Sequence, residues 1–194
     1  MLGIDFVIPD ISYLEENREK IVGIIVTHGH EDHIGALLRS AEDPRAPLRN
    51  EAHLGHGEQQ ADGVGSELCP DYREIKAGDR VEMGPFKVRF IAVCHSIPDG
   101  VGLAVETPVG TVVHTGDFKL DPTPIDGRLT DYAAFAEEGR KEFFFFSDST
   151  NVEREGFTES ELVLSGTLDR IFRQYRTKRM VIASFASNLH RVQR

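Results

Sequence analysis

The sequence predicts an α/β protein, and two kinds of pattern predict it. Short apolar or alternating runs separated by Gly/Pro turns alternate with segments of helical spacing, and several runs end in clusters of histidine and aspartate. A composition of 40% hydrophobic and 28% charged residues is that of an ordinary globular chain, and 194 residues suffice for one good core or the start of a second domain. The longest apolar stretches fall well short of the ~20 residues a membrane span needs, and no basic-then-apolar targeting segment follows Met1, so the expected location is cytoplasmic. Two cysteines, Cys69 and Cys94, lack any paired zinc spacing and read as reduced thiols.

The first strand is the apolar run Ile21 to Val26, and it opens directly into Thr27-His28-Gly29-His30-Glu31-Asp32-His33. A strand alternates its side chains, so at its frayed end His28 and His30 point to one side, while Gly29 lets the backbone turn tightly between them. Asp32 and His33 then offer ligands to a second ion. Imidazole nitrogen with carboxylate oxygen suits zinc best, with manganese as a possible substitute.

Hairpins follow. Val81-Glu82 should pair with the alternating strand Phe86, Val88, Phe90, Ala92 across Met83-Gly84-Pro85, and Gly102 to Glu106 with Thr111 to His114 across Thr107-Pro108-Val109-Gly110. Two further ligand types sit at strand ends, His95 after the first hairpin and Asp117 after the second. Asp131 is placed to cap a helix through Glu138 that Gly139 stops. Phe143 to Phe146 reads as a strand buried on both faces, ending at Ser147-Asp148. Thr158-Glu159-Ser160-Glu161 has the form of a capping box, opening a helix whose Leu164, Leu168, Ile171, Phe172 and Tyr175 should form one buried stripe. Met180 to Ser184 is then expected as a strand, with a new helix from Asn188 whose N-terminus could meet a phosphate.

The ligand loop resembles the signature of the metallo-β-lactamase superfamily. Within it the segments His95-Ser96-Ile97-Pro98-Asp99, His114-Thr115-Gly116-Asp117-Phe118-Lys119, Ser147-Asp148-Ser149-Thr150-Asn151 and Ala186-Ser187-Asn188-Leu189-His190-Arg191 are similar to the ribonuclease J family of β-CASP nucleases. The resemblance implies a metallo-β-lactamase αββα sandwich over residues 1–150, incomplete because its upstream strands would precede Met1, and the start of a β-CASP α/β domain over 151–194. It implies two zinc ions, one on His28, His30, His95 and Asp117, the other on Asp32, His33 and Asp117 with a further histidine expected beyond Arg194. It further implies catalytic roles for Asp32, His33, Asp117 and Asp148, RNA backbone contacts from Ser187 and Asn188, an RNA substrate with a 5′-monophosphate end cut by exonuclease and endonuclease action, and a dimer or tetramer of the full-length protein. From the residues alone, Asp148 reads equally as a turn cap through Ser149-Thr150-Asn151.

Two other readings stay open at this level: a small-molecule hydrolase of the same fold, such as a thioesterase or lactonase, and a chain that binds metal or RNA without turnover. The net charge of −10 runs against a nucleic-acid partner, but the charge is uneven. Arg170, Arg173, Arg176, Lys178, Arg179, Arg191 and Arg194 form a terminal stretch without one acidic residue. The block from Arg39 to about Cys69 departs from the family, which has a strand and an amphipathic helix there. Back-translated with suitable codons and one base dropped, Arg49 to Gly65 yields a family-like segment, so residues of roughly 40–66 are expected to be read in a shifted frame. Under that reading His53 and His56 are not ligands.

Overall fold

The computed structural model describes residues 7, 9–42, 52–55, 73–141 and 143–185, with side chains left aside at 37–42, 52–55 and 143. Two sheets organise these residues. A short helix α1 (Ser12–Glu16) leads to strand β1 (Ile24–Val26), and helix α2 (Glu31–Glu42) follows the ligand loop. β2 (Ala52–Gly55) and β3 (Arg73–Ile75) complete a three-stranded parallel sheet in the order β1-β2-β3. β2 falls inside the block where the sequence shows no clear period. Its backbone pairs with β1 from Ile24 opposite Ala52 to Val26 opposite Leu54, so the ladder rather than side-chain alternation defines this strand.

The second sheet has five strands in sequential order: β4 (Arg80–Met83), β5 (Phe86–Ala92), β6 (Val101–Thr107), β7 (Gly110–His114) and β8 (Phe143–Phe146). β4 through β7 form the two hairpins expected from the turns, with Met83 opposite Phe86 and Thr107 opposite Gly110. Gly84 takes φ +55° in the first turn, a conformation that a side chain would resist. β8 joins β7 in parallel, which requires a crossover, and α3 (Tyr132–Glu138) provides it.

Alternation along β5 sorts two cores onto opposite faces of this sheet. Val88 and Phe90 join Ile75, Val81, Met83 and Val101, with Ile25 of β1 packed against them, so this cluster lies between the two sheets. Ile91 joins Ala104, Val113 and Ala134 with Phe135, which seats α3 on the other face. Arg89 on that same face reaches Glu137 and Glu138 of α3 at 2.7 and 2.9 Å. Burying each large apolar side chain contributes about 1.5–3 kcal/mol. Asp131 caps α3 by accepting from the Ala134 backbone N–H at 2.9 Å, as its sequence position predicts.

Four expectations are corrected. The phenylalanine run is a strand, but Phe144, Phe145 and Phe146 are 73, 56 and 57% exposed because β8 is the edge of its sheet and no described element covers it. Helix α4 (Glu161–Gln174) starts two residues after the capping-box position, with Ser160 rather than Thr158 as its N-cap. There Ser160 Oγ accepts from Leu162 N and also meets Thr123, so a contact 37 residues away selects the cap. The stripe on α4 is not buried among the described residues: Leu164, Ile171 and Tyr175 are exposed and Leu168 and Phe172 half-buried. Met180 to Ser184 form no strand, since a strand exists only where a neighbour completes its ladder and none does so among the described residues. Most of the 40–66 block and His56 lie outside the described residues, as does the His53 side chain, and Ser187, Asn188 and the helix expected from Asn188 lie outside them too.

Candidate metal centre

β1 ends at Val26 and the chain leaves the sheet with Thr27, whose carbonyl is gripped by the Val101 N–H at the start of β6 (3.0 Å). That bond docks the ligand loop onto the larger sheet. His28 is 2% exposed, and His30 closes the loop as α2 begins, accepting from the His33 and Ile34 N–H groups at 3.0 and 3.1 Å. Asp32 and His33 therefore sit in the first turn of α2, and the His33 ring comes within 4.1 Å of the His28 ring, centroid to centroid. Carboxylates are favoured there by the helix dipole.

The residues named from sequence converge. His30 Nδ1 lies 3.0 Å from His28 Nε2 and 3.2 Å from His95 Nε2. One oxygen, Asp117 Oδ2, lies 3.8 Å from His28 Nε2, 3.8 Å from His95 Nε2 and 3.3 Å from His33 Nε2. Ligand atoms held at about 2.0–2.1 Å on a tetrahedral ion stand roughly 3.3–3.4 Å apart, so these spacings fit a zinc-sized ion within a few tenths of an ångström. Two groupings satisfy the geometry: His28, His30 and His95, and His28, His33 and Asp117. Asp117 Oδ2, part of the second grouping, also stands 3.8 Å from His95 Nε2 of the first. Asp32 is at the margin, with its carboxylate 3.5 Å from His33 Nε2 and its side chain 78% exposed.

Electrostatics favour ligation. Burial, then repulsion from His33 and His95, hold the His28 imidazole well below its ordinary 6.5, at about 4, against the pull of Asp117. Burial likewise pushes His95 down, with His30 adding to the effect. Both rings are therefore neutral at pH 7, the state in which imidazole binds metal.

A second set of contacts orients these side chains, and most of it escaped sequence reasoning. Thr27 Oγ1 lies 3.1 Å from His28 Nδ1, and Ser96 Oγ lies 3.4 Å from His30 Nε2. Each hydroxyl engages the nitrogen that faces away from the cluster, which is how outer partners fix ring orientation. Gly116 holds φ +61°, and a Cβ there would come within 2.6 Å of the Val101 carbonyl, so only glycine lets the chain reach Asp117. Thr115, buried, accepts from the Asp148 N–H at 2.9 Å while its own N–H donates to the Phe146 carbonyl. Asp148 thus stands beside the cluster at the end of β8. Burial raises its carboxyl, but bonds from the Thr150 backbone and side chain, the Phe118 backbone and the charge of His95 outweigh that and leave it below the ordinary value. Its Oδ1 accepts from Thr150 N at 2.8 Å, so the turn-cap role and the proximity to His95 coexist.

With this geometry the comparisons agree. Residues 3–158 match the metallo-beta-lactamase superfamily, and the chain belongs to it. A crystal structure of a protein of unknown function from Enterococcus faecalis shares the fold over 88% of this chain and 43% of its own, with a TM-score of 0.57 at 15% identity.

Within the superfamily the chain is similar to proteins named ribonuclease J. The chain is 40% identical to ribonuclease J of Thermus thermophilus, over 100% of this chain and 35% of that protein. It is 41% identical to ribonuclease J of Synechocystis, over 99% of this chain and 30% of that protein. Ribonuclease J2 of Bacillus subtilis is 38% identical over 100% of this chain and 35% of its own length. The chain spans about a third of the length of these relatives.

Proposed function

We propose that this chain forms the metal-binding catalytic part of a zinc-dependent nuclease of the ribonuclease J type, which hydrolyses RNA phosphodiester bonds. The observation that carries the reading is the meeting of three imidazoles on one carboxylate oxygen, Asp117 Oδ2, in a chain whose relatives are named ribonuclease J. His28, His30, His95 and Asp117 would hold one ion and Asp32, His33 and Asp117 a second, with manganese as a substitute. Zinc, when bound, lowers the pKa of water to about 7 and so supplies a nucleophile at neutral pH.

The neutral His28 and His95 rings keep their nitrogens available as ligands at that pH. Asp148 is suited to set the position of the Asp117 loop through the Phe118 backbone. Water adds to phosphorus, the bond to the 3′-oxygen breaks, and the products are a 3′-hydroxyl and a 5′-phosphate. An RNA with a 5′-monophosphate end is the expected substrate for 5′-to-3′ exonuclease and endonuclease action, with backbone contacts from Ser187 and Asn188, in the cytoplasm and within a dimeric or tetrameric full-length protein. Among the described residues no helix is long and apolar enough to cross a membrane.

Replacing Asp117 by Ala, which removes the shared oxygen, is expected to abolish metal-dependent cleavage of a 5′-monophosphorylated RNA, read by gel. Cleavage at the unsubstituted rate refutes the mechanism.

A further inference from the structure

Two loops bring His95 and Asp117 together, and both residues lie beyond the ends of their strands. His95 follows the end of β5 and Asp117 follows the end of β7, so something must fix their separation. A direct backbone bond does part of this, from Lys119 N–H to the Cys94 carbonyl at 2.7 Å. A side chain from a third segment adds to it. Thr130 Oγ1 accepts from the Cys94 N–H at 2.9 Å and donates to the Lys119 carbonyl at 3.4 Å. Its hydroxyl therefore uses both its accepting and its donating capacity, one on each ligand loop.

Thr130 is itself well anchored. It is 5% exposed, its carbonyl accepts from Tyr132 N at 3.0 Å, and the next residue, Asp131, both donates to the Ala92 carbonyl and caps α3. α3 in turn is seated on the sheet through Ala134 and Phe135. The hydroxyl thus ties the two loops to the rigid part of the fold, one residue from His95 on one side and two from Asp117 on the other.

We propose that Thr130 is a positioning residue of the metal centre, whose hydroxyl sets the spacing between His95 and Asp117. The proposal rests on the metal-centre reading above. Valine at this position would match threonine in size but leave the Cys94 N–H buried without an acceptor and release Lys119. Serine would keep both bonds and lose only a methyl group.

The test is zinc affinity of the whole chain, by competition with a chromophoric chelator, for the unsubstituted protein, Thr130→Val and Thr130→Ser, with urea unfolding of each in excess EDTA. The expected result is a 10- to 100-fold weaker affinity for Thr130→Val, the range typical of lost outer-shell partners, and a value within about threefold of the original for Thr130→Ser. Unchanged zinc affinity in Thr130→Val, whatever its stability without metal, overturns the positioning role and leaves the metal centre standing. If the unsubstituted chain takes up no zinc, the metal-centre reading itself fails and this inference with it. Should Thr130→Val not fold, Thr130→Ser decides: retained affinity supports the hydroxyl, and a tenfold loss assigns the effect to the methyl group and overturns it.

Discussion

Asp121 offers a quantitative test of how the loop after Asp117 is joined to helix α4. Its side chain is fully buried, yet it is ionised: it accepts from Thr123 N at 2.9 Å and from Glu161 N at 3.0 Å, and Lys119 Nζ lies 3.5 Å away. Burial pushes this carboxyl up, but those bonds, with one from Ser160, more than reverse the effect and bring it from 3.8 to about 2. A difference of that size is worth about 2 kcal/mol of folding stability. Because the folded-state value is depressed, the contribution is present in full above about pH 4 and is lost as pH falls through about 2. Asp121→Asn keeps the shape and one acceptor but removes the charge and turns an NH₂ toward donors. In urea unfolding at pH 7 with metal chelated, Asp121→Asn should be less stable by about 2 kcal/mol. The gap should narrow between about pH 4 and pH 2, as the unsubstituted protein becomes protonated at the same position. Equal stability at pH 7, or a gap that stays constant down to pH 2, would show that the carboxylate is not held by these bonds.

Two further outcomes follow from the geometry. Gly116→Ala must carry a side chain at φ +61° and within 2.6 Å of the Val101 carbonyl, so unfolding should be easier by at least about 1–2 kcal/mol and zinc binding weaker; a variant as stable as the parent would mean the turn is not so constrained. Thr27→Val removes the hydroxyl beside His28 Nδ1 and should weaken zinc binding about tenfold with the fold intact, a change that calorimetric titration would detect or exclude.

How much of this was readable in advance depends on how far apart along the chain the partners lie. The ligand loop was legible because His28, His30, Asp32 and His33 share one segment, and ligand chemistry together with strand-end geometry limits what such a cluster can do. The hairpins were legible because Gly84-Pro85 and Pro108-Val109 allow tight turns between alternating strands. The cap of α3 was legible because Asp131 and Ala134 are three residues apart. The partners that orient the site were not. Ser96 meets His30 across 66 residues, Thr130 meets Cys94 across 36, and Asp121 meets Glu161 across 40. A serine, a threonine and an aspartate are common in loops, and nothing local distinguishes these from others.

Burial divided in the same way. Apolar content told that Phe143 to Phe146 would be a strand, since such a run has few other uses, and β8 does pair with β7. Whether that strand would be central or an edge depends on what packs beside it, and the run itself is silent on that. The same holds for the apolar face of α4, whose spacing states that a partner is suited to it but not that one is present. The sequence by itself therefore singled out the cluster of ligand-type side chains, the turns and the superfamily, because each is a matter of residue type at short spacing. Only the tertiary structure decided that Asp117 Oδ2 lies among three imidazoles, which hydroxyls hold those imidazoles in place, and which apolar faces are covered, because distances between segments arise from packing that no short stretch of chain encodes.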